Sequence, residues 1–159
     1  DIRPRFPEVR DNLGALYLKL GMVDAAAEQL EFVLAVRPNR ASALNSMGVV
    51  HLMRGQLLDA ALKFGRSIEI EPDNVEAMAN LGAVLLHLGR FEEAIPHLQK
   101  VGNAFPQRVG VRTNLARALA GSGRKEDALK ELQSVLERVP DFAPAQKALS
   151  DLGAPGSPR

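Results

Sequence analysis

Apolar residues along this chain fall at spacings of three and four, not two. Leu13, Leu16, Tyr17 and Leu20 form one such set and Ala26, Leu30, Val33 and Leu34 the next, with polar residues between. That is the period of an amphipathic helix. The spacing predicts a helix that stops at Gly21 and a second over about Asp24 to Val36. Glycine just past the last periodic residue can take the left-handed conformation that closes a helix without a Cβ cost. Pro38 ends the second helix, because proline disfavours helix for the residue before it and has no N–H to donate. The plan recurs with a first helix from about Ala41 to Arg54 and a second from about Leu58 to Ile70. A third set opens near Val75, where Asp73 precedes Glu76 at the spacing of a capping box. A last amphipathic stretch covers 143–152, apolar at Ala145, Ala148, Leu149 and Leu152.

The pattern repeats with a fixed period. Proline stands at Pro4, Pro38, Pro72, Pro106 and Pro140, glycine at Gly21, Gly55, Gly89 and Gly123, and alanine at Ala26, Ala60, Ala94 and Ala128, each step being 34 residues. Self-similarity at such a period marks an array in which each unit buries its apolar face against its neighbours. With helical units, this is an all-α solenoid. The units run 7–40, 41–74, 75–108 and 109–142, followed by a capping helix over 143–152. Residues 1–6 read as the tail of a preceding repeat, since Pro4 falls one period before Pro38, and the chain as part of a longer array or a processed chain. Residues 153–159, rich in Gly, Pro and Ser, read as a disordered tail. The second helix of the third unit is expected to be the least regular: Pro96 is tolerated there only in the first turn, and Gly102 costs about 0.5–1 kcal/mol relative to alanine.

Leu13-Gly14, Met47-Gly48, Leu81-Gly82 and Leu115-Ala116 recur in register with Ala26-Leu30, Ala60-Phe64, Ala94-Leu98 and Ala128-Leu132. This resembles the tetratricopeptide repeat, whose pattern is W-x2-L-G-x2-Y, then A-x3-F, then P, over about residues 4–152. The Trp position holds Arg10, Leu44, Met78 and Arg112, and the Tyr position Tyr17, His51, Leu85 and Leu119; these departures bear on the packing of units one and four. The resemblance implies a right-handed superhelical solenoid of helix-turn-helix repeats, its concave face lined by the first helix of each unit. It also implies a scaffold for protein–protein interaction that binds extended or short helical peptides.

If the Leu-Gly stripe packs inward, the adjacent stripe, three and four residues apart, faces that groove. The peptide-binding residues expected there are Asn12, Leu18 and Lys19; Asn45, Val49, Leu52 and Met53; Asn80, Ala83, Leu86 and His87; and Asn114 and Arg117. Asp11 and Thr113 lie on the same stripe. Leu18, Leu52 and Leu86 are one period apart and read either as an apolar row for a ligand or as packing between helices. Asn12, Asn80 and Asn114, interrupted by Ser46, form a series whose amides can donate to and accept from a peptide backbone at once. In the related O-linked N-acetylglucosamine transferases, asparagines at the matching place do this. Chaperone adaptors of the family instead grip a C-terminal carboxylate with lysine, arginine and asparagine. The matching places here hold Asp11, Ala15, Ser46, Glu76 and Asn80, or Asn45, Val49, Asn80, Gly110 and Asn114. The cations are missing in both registers, so chaperone tails are not expected as ligands.

Charge changes this picture little. Lys plus Arg number 20 against 19 Asp plus Glu, a net charge of +1, which gives no reason to expect nucleic acid or an anionic membrane. The absence of cysteine excludes disulfides and thiolate chemistry, and no apolar run approaches a membrane span. His51 reads as a core histidine, His87 and His97 lack partners at ligand spacing, and Gly121-Ser122-Gly123 is not a phosphate loop. No catalytic site, metal or cofactor is expected. Two alternatives stay open beside the adaptor: the targeting array of a larger enzyme such as a glycosyltransferase, and a self-assembling homo-oligomeric scaffold.

Overall fold

The chain reverses direction where glycine allows it. Gly21, Gly55, Gly89 and Gly123 have φ of 72, 73, 72 and 83°, and at each the residue after the glycine donates across the turn. Met22 N–H bonds to Tyr17 C=O at 2.9 Å, Gln56 to His51 at 2.9 Å, Arg90 to Leu85 at 2.9 Å and Arg124 to Leu119 at 2.8 Å, the six-to-one closure of a Schellman motif. These four turns set the element order in the structure, a computed structural model that describes residues 6–153. The described residues form nine α-helices and no strand: α1 (Pro7–Lys19), α2 (Val23–Val36), α3 (Ala41–Met53), α4 (Leu57–Ile70), α5 (Val75–His87), α6 (Phe91–Ala104), α7 (Val109–Gly121), α8 (Lys125–Arg138) and α9 (Ala143–Asp151). The expectations for residues 1–5 and 154–159 lie outside the described residues. The chain divides into two compact units, Asp1–Val84 and Leu85–Arg159.

In the first unit, α1 packs on α2 and α3 on α4, with α3 also against α1 and α2. The small residue of each Leu-Gly pair is what lets the helices approach. A Cβ on Gly14 would sit 2.8 Å from the Leu30 side chain, and one on Gly48 would sit 2.6 Å from the Phe64 ring. Around these contacts Ala26, Ala27, Leu30, Val33, Ala43, Met47 and Val50 form a buried cluster, joined by Tyr17, Leu18, Val23 and Leu34. Polar groups that this packing buries are paired, as burial requires. Asp11 accepts from Arg40 Nε at 2.9 Å and from Ser42 Oγ, and Ser67 Oγ donates to Ala41 C=O at 2.8 Å. At the Trp position, the Arg10 guanidinium lies 4.0 Å from the centre of the Phe32 ring and donates to Gln29 at 3.0 Å. A cation over a ring face thus stands in for an indole.

Two expectations for this unit need correction. The cap of α5 is Asn74, whose side-chain oxygen accepts from Ala77 N–H at 3.0 Å, so the helix begins one residue later than a box built on Asp73 and Glu76 would place it. Leu16 on α1 and Leu20 at its C-cap are exposed, although they continue the apolar stripe. Val50, one period after Leu16, is fully buried on α3, where α2 lies alongside; no described helix takes that place beside α1.

In the second unit, α7 packs on α6, α8 and α9, and α9 also on α8. Its core draws Ala94, Leu98 and Val101 from α6, Leu115, Ala116 and Leu119 from α7, Ala128, Leu132 and Val135 from α8, and Ala145 and Leu149 from α9. The expected irregularity of α6 does not appear, since the helix runs without a break for 14 residues. Pro96 is its sixth residue, beyond the first turn, but its ring is exposed; the carbonyl left without a donor then faces water, not the core. Gly102 is buried beneath Arg112, whose Cγ would be 3.5 Å from an added Cβ. At the positions matching Gly102 the other repeats carry Leu34, Ile68 and Leu136, and at those matching Arg112 they carry Arg10, Leu44 and Met78. The Arg112 head goes on to Glu131 at 2.9 Å and Ser134 at 3.2 Å.

Candidate functional site

Within the first unit the stripe beside the Leu-Gly pairs is carried by α1, α3 and the part of α5 up to Val84. Asn12 and Lys19 on α1 and Met53 on α3 are exposed, while Asn45, Val49, Leu52, Asn80 and Ala83 are half-buried. Leu18 is also half-buried and packs against the cluster around Leu30. The structure brings together a pair that the period did not indicate. Asn80 Nδ2 donates to Asn45 Oδ1 at 3.3 Å, joining neighbouring first helices. Asn80 keeps its carbonyl and a second N–H, and Asn45 its two N–H donors, which is the complement of a peptide unit. The residues are 35 apart, one more than the repeat, so a search at 34 passes them by. The usable signal was asparagine at two adjacent stripe positions.

The rest of the expected asparagine series is divided. Ser46 is buried, and Asp11, on the position matching Asn45, is buried and held by Arg40 and Ser42. Among the stripe residues of this unit the exposed charge is therefore Lys19. The Asp11 carboxylate on the same stripe is already taken up by Arg40 and Ser42.

In the second unit Leu86 is 7% exposed. The row of three leucines is therefore not uniform, and Leu86 is a packing residue. His87 and Arg117 are exposed and Asn114 is half-buried. Thr113, also on the stripe, is buried and turns its hydroxyl back to Val109 C=O at 2.9 Å. His51 is half-buried, with Nδ1 2.8 Å from Gln56 Oε1. On α6, burial lowers the pKa of the His97 imidazole, opposed by the Glu93 carboxylate, while Arg90 holds the Glu93 carboxyl below its usual range through a side-chain hydrogen bond. Among the described residues no group of three His, Cys, Asp or Glu is placed to hold a metal ion, and no helix is long and apolar enough to cross a membrane.

Comparison with curated proteins returns no match. Among solved structures, the chain is similar to MamA of Desulfovibrio magneticus RS-1, with TM-score 0.85 and 21% identity over 96% of this chain and 86% of that one. It is similar also to MamA AMB-1, with TM-score 0.84 and 25% identity over 96% and 88%. A third similar structure is YrrB, described as a TPR protein with an unusual peptide-binding site, with TM-score 0.86 and 21% identity over 94% and 77%. These likenesses agree with the succession of helix pairs. Models of the tetratricopeptide repeat match residues 12–74, 51–108 and 85–152, and the chain belongs to that family.

Proposed function

We propose that this chain is a non-enzymatic protein–protein interaction scaffold whose first helices take up a peptide segment. The observation that carries the reading is the Asn45–Asn80 pair, two side-chain amides with unspent donors and an acceptor, set beside half-buried Val49 and Leu52 and exposed Met53. The amides hold a peptide backbone whatever its sequence, and the aliphatic groups select apolar side chains. YrrB, similar in fold, is described as having a peptide-binding site, which supports the class of ligand. Lys19 adds one cation and the stripe no free carboxylate, so an acidic residue in the segment is favoured over a basic one. The missing clamp cations argue against chaperone C-terminal tails.

The test is selection of ligands from a displayed peptide library, followed by calorimetry. Selected peptides should carry apolar residues with an acidic flank. Asn80→Ala should weaken them by about 1–2 kcal/mol, roughly five- to thirtyfold, and Leu52→Glu by more, with circular dichroism unchanged. Selected peptides that bind both folded variants as tightly as the parent would refute the reading.

A further inference from the structure

The second helices supply an internal control for their own outward face. Three positions of α2, α6 and α8 hold Asp24, Glu28 and Glu31; Glu92, Pro96 and Gln99; and Glu126, Lys130 and Gln133, all exposed. The same three positions of α4 hold Leu58, Leu62 and Gly65. Both leucines are 68% exposed, and a Cβ added to Gly65 would meet nothing within 4 Å. Two leucines exposed where other units carry charge or proline lose the solvation that this face otherwise keeps. A glycine in a helix interior is destabilising relative to alanine. Gly14 and Gly48 recover that cost through contact with Leu30 and Phe64; Gly65 has no such contact inside the molecule.

We infer that this face of α4 is an interface between two copies of the chain, formed by antiparallel α4 helices that each seat Leu62 on Gly65 of the second copy. The spacing of Leu58, Leu62 and Gly65 is that of seam positions in a two-helix packing, and the seam is self-complementary. A two-fold axis that puts one knob on one bare glycine does so twice, as an isologous contact requires. The flanks fit as well. Asp59 follows Leu58 and Arg66 follows Gly65, so the same register brings Asp59 within about one helical turn, ~5.4 Å, of Arg66 of the second copy. On the other flank half-buried Ala61 and Ile68 face each other. Glu69, bound to Arg66 at 2.7 Å, ends the apolar run on each side. Two leucines per copy cover much less than the about 800 Å² per partner of a standard interface, so association is weak and concentration-dependent. This surface does not involve Asn45, Leu52 or Asn80, and it stands or falls independently of peptide binding.

Sedimentation equilibrium of the chain over a wide concentration range tests the inference. A reversible monomer–dimer equilibrium is expected, abolished by Leu62→Glu. Gly65→Ala should weaken the dimer by at least roughly fivefold, because the added methyl props the helices apart, while raising the melting temperature of the monomer. Asp59→Arg should weaken it, and Asp59→Arg combined with Arg66→Asp should restore it. A chain that stays monomeric throughout, or a dimer indifferent to Leu62→Glu, would overturn the inference. So would a dimer that Leu52→Glu, but not Leu62→Glu, dissociates.

Discussion

Gly48 and Gly102 are both buried helical glycines, but their neighbours decide opposite effects for the same substitution. The Phe64 ring lies 2.6 Å from where a Gly48 Cβ would be, and Phe64 is fully buried, so Gly48→Ala should cost about 1–3 kcal/mol through overpacking. At Gly102 the nearest atom is the flexible Arg112 stem at 3.5 Å. Gly102→Ala should therefore stabilise by about 0.5–1 kcal/mol. Urea denaturation of the two variants reads both signs. His97 gives a third prediction. Burial lowers its pKa in the folded chain, so between that value and the unfolded value near 6.5 the unfolded chain binds more protons. Stability contributed by the neutral imidazole is then complete above the unfolded pKa and is lost as pH falls towards the folded one. His97→Gln, which copies Gln29 at the matching position of the first unit, should flatten stability against pH in that window.

Among the elements, the helices and their ends were legible because glycine and proline act locally. A left-handed glycine or a proline dictates its turn whatever packs around it, so the turns at Gly21, Gly55, Gly89 and Gly123 could be placed from sequence. The cap of α5 could not, because Asp73 and Asn74 are adjacent and both suit the role; only the geometry of Ala77 N–H selects Asn74. Asn74→Ala should cost about 1 kcal/mol, seen as a lowered melting temperature. The regularity of α6 is hidden from sequence for a different reason: a sequence shows proline but not which way its ring points. Because the Pro96 ring is exposed, alanine there should restore a helical hydrogen bond and stabilise by about 1–3 kcal/mol. The covered or bare state of Leu16 and Leu20 was likewise hidden, since it depends on a neighbouring helix and not on the helix itself.

At the scale of the molecule, each compact unit is held by contacts between adjacent helices, and repetition makes that arrangement easy to read. A site built on it is harder, because binding residues are the ones that depart from the repeat. The stripe was located by its angle from the Leu-Gly pairs, and Asn45, Val49, Leu52 and Asn80 lie half-buried on it. Leu86 did not follow its apparent counterparts Leu18 and Leu52, and the Asn45–Asn80 pair fell one residue outside the period. The measurement that bears most directly on the account is chemical-shift mapping of the chain titrated with a library-selected peptide. Binding through the first helices predicts the largest shifts at Asn45, Val49, Leu52 and Asn80, including the asparagine side-chain amides, with α4 residues Leu58 and Leu62 unmoved. Shifts confined to α4 or to the loops, with the Asn45 and Asn80 amides undisturbed at saturation, would contradict it.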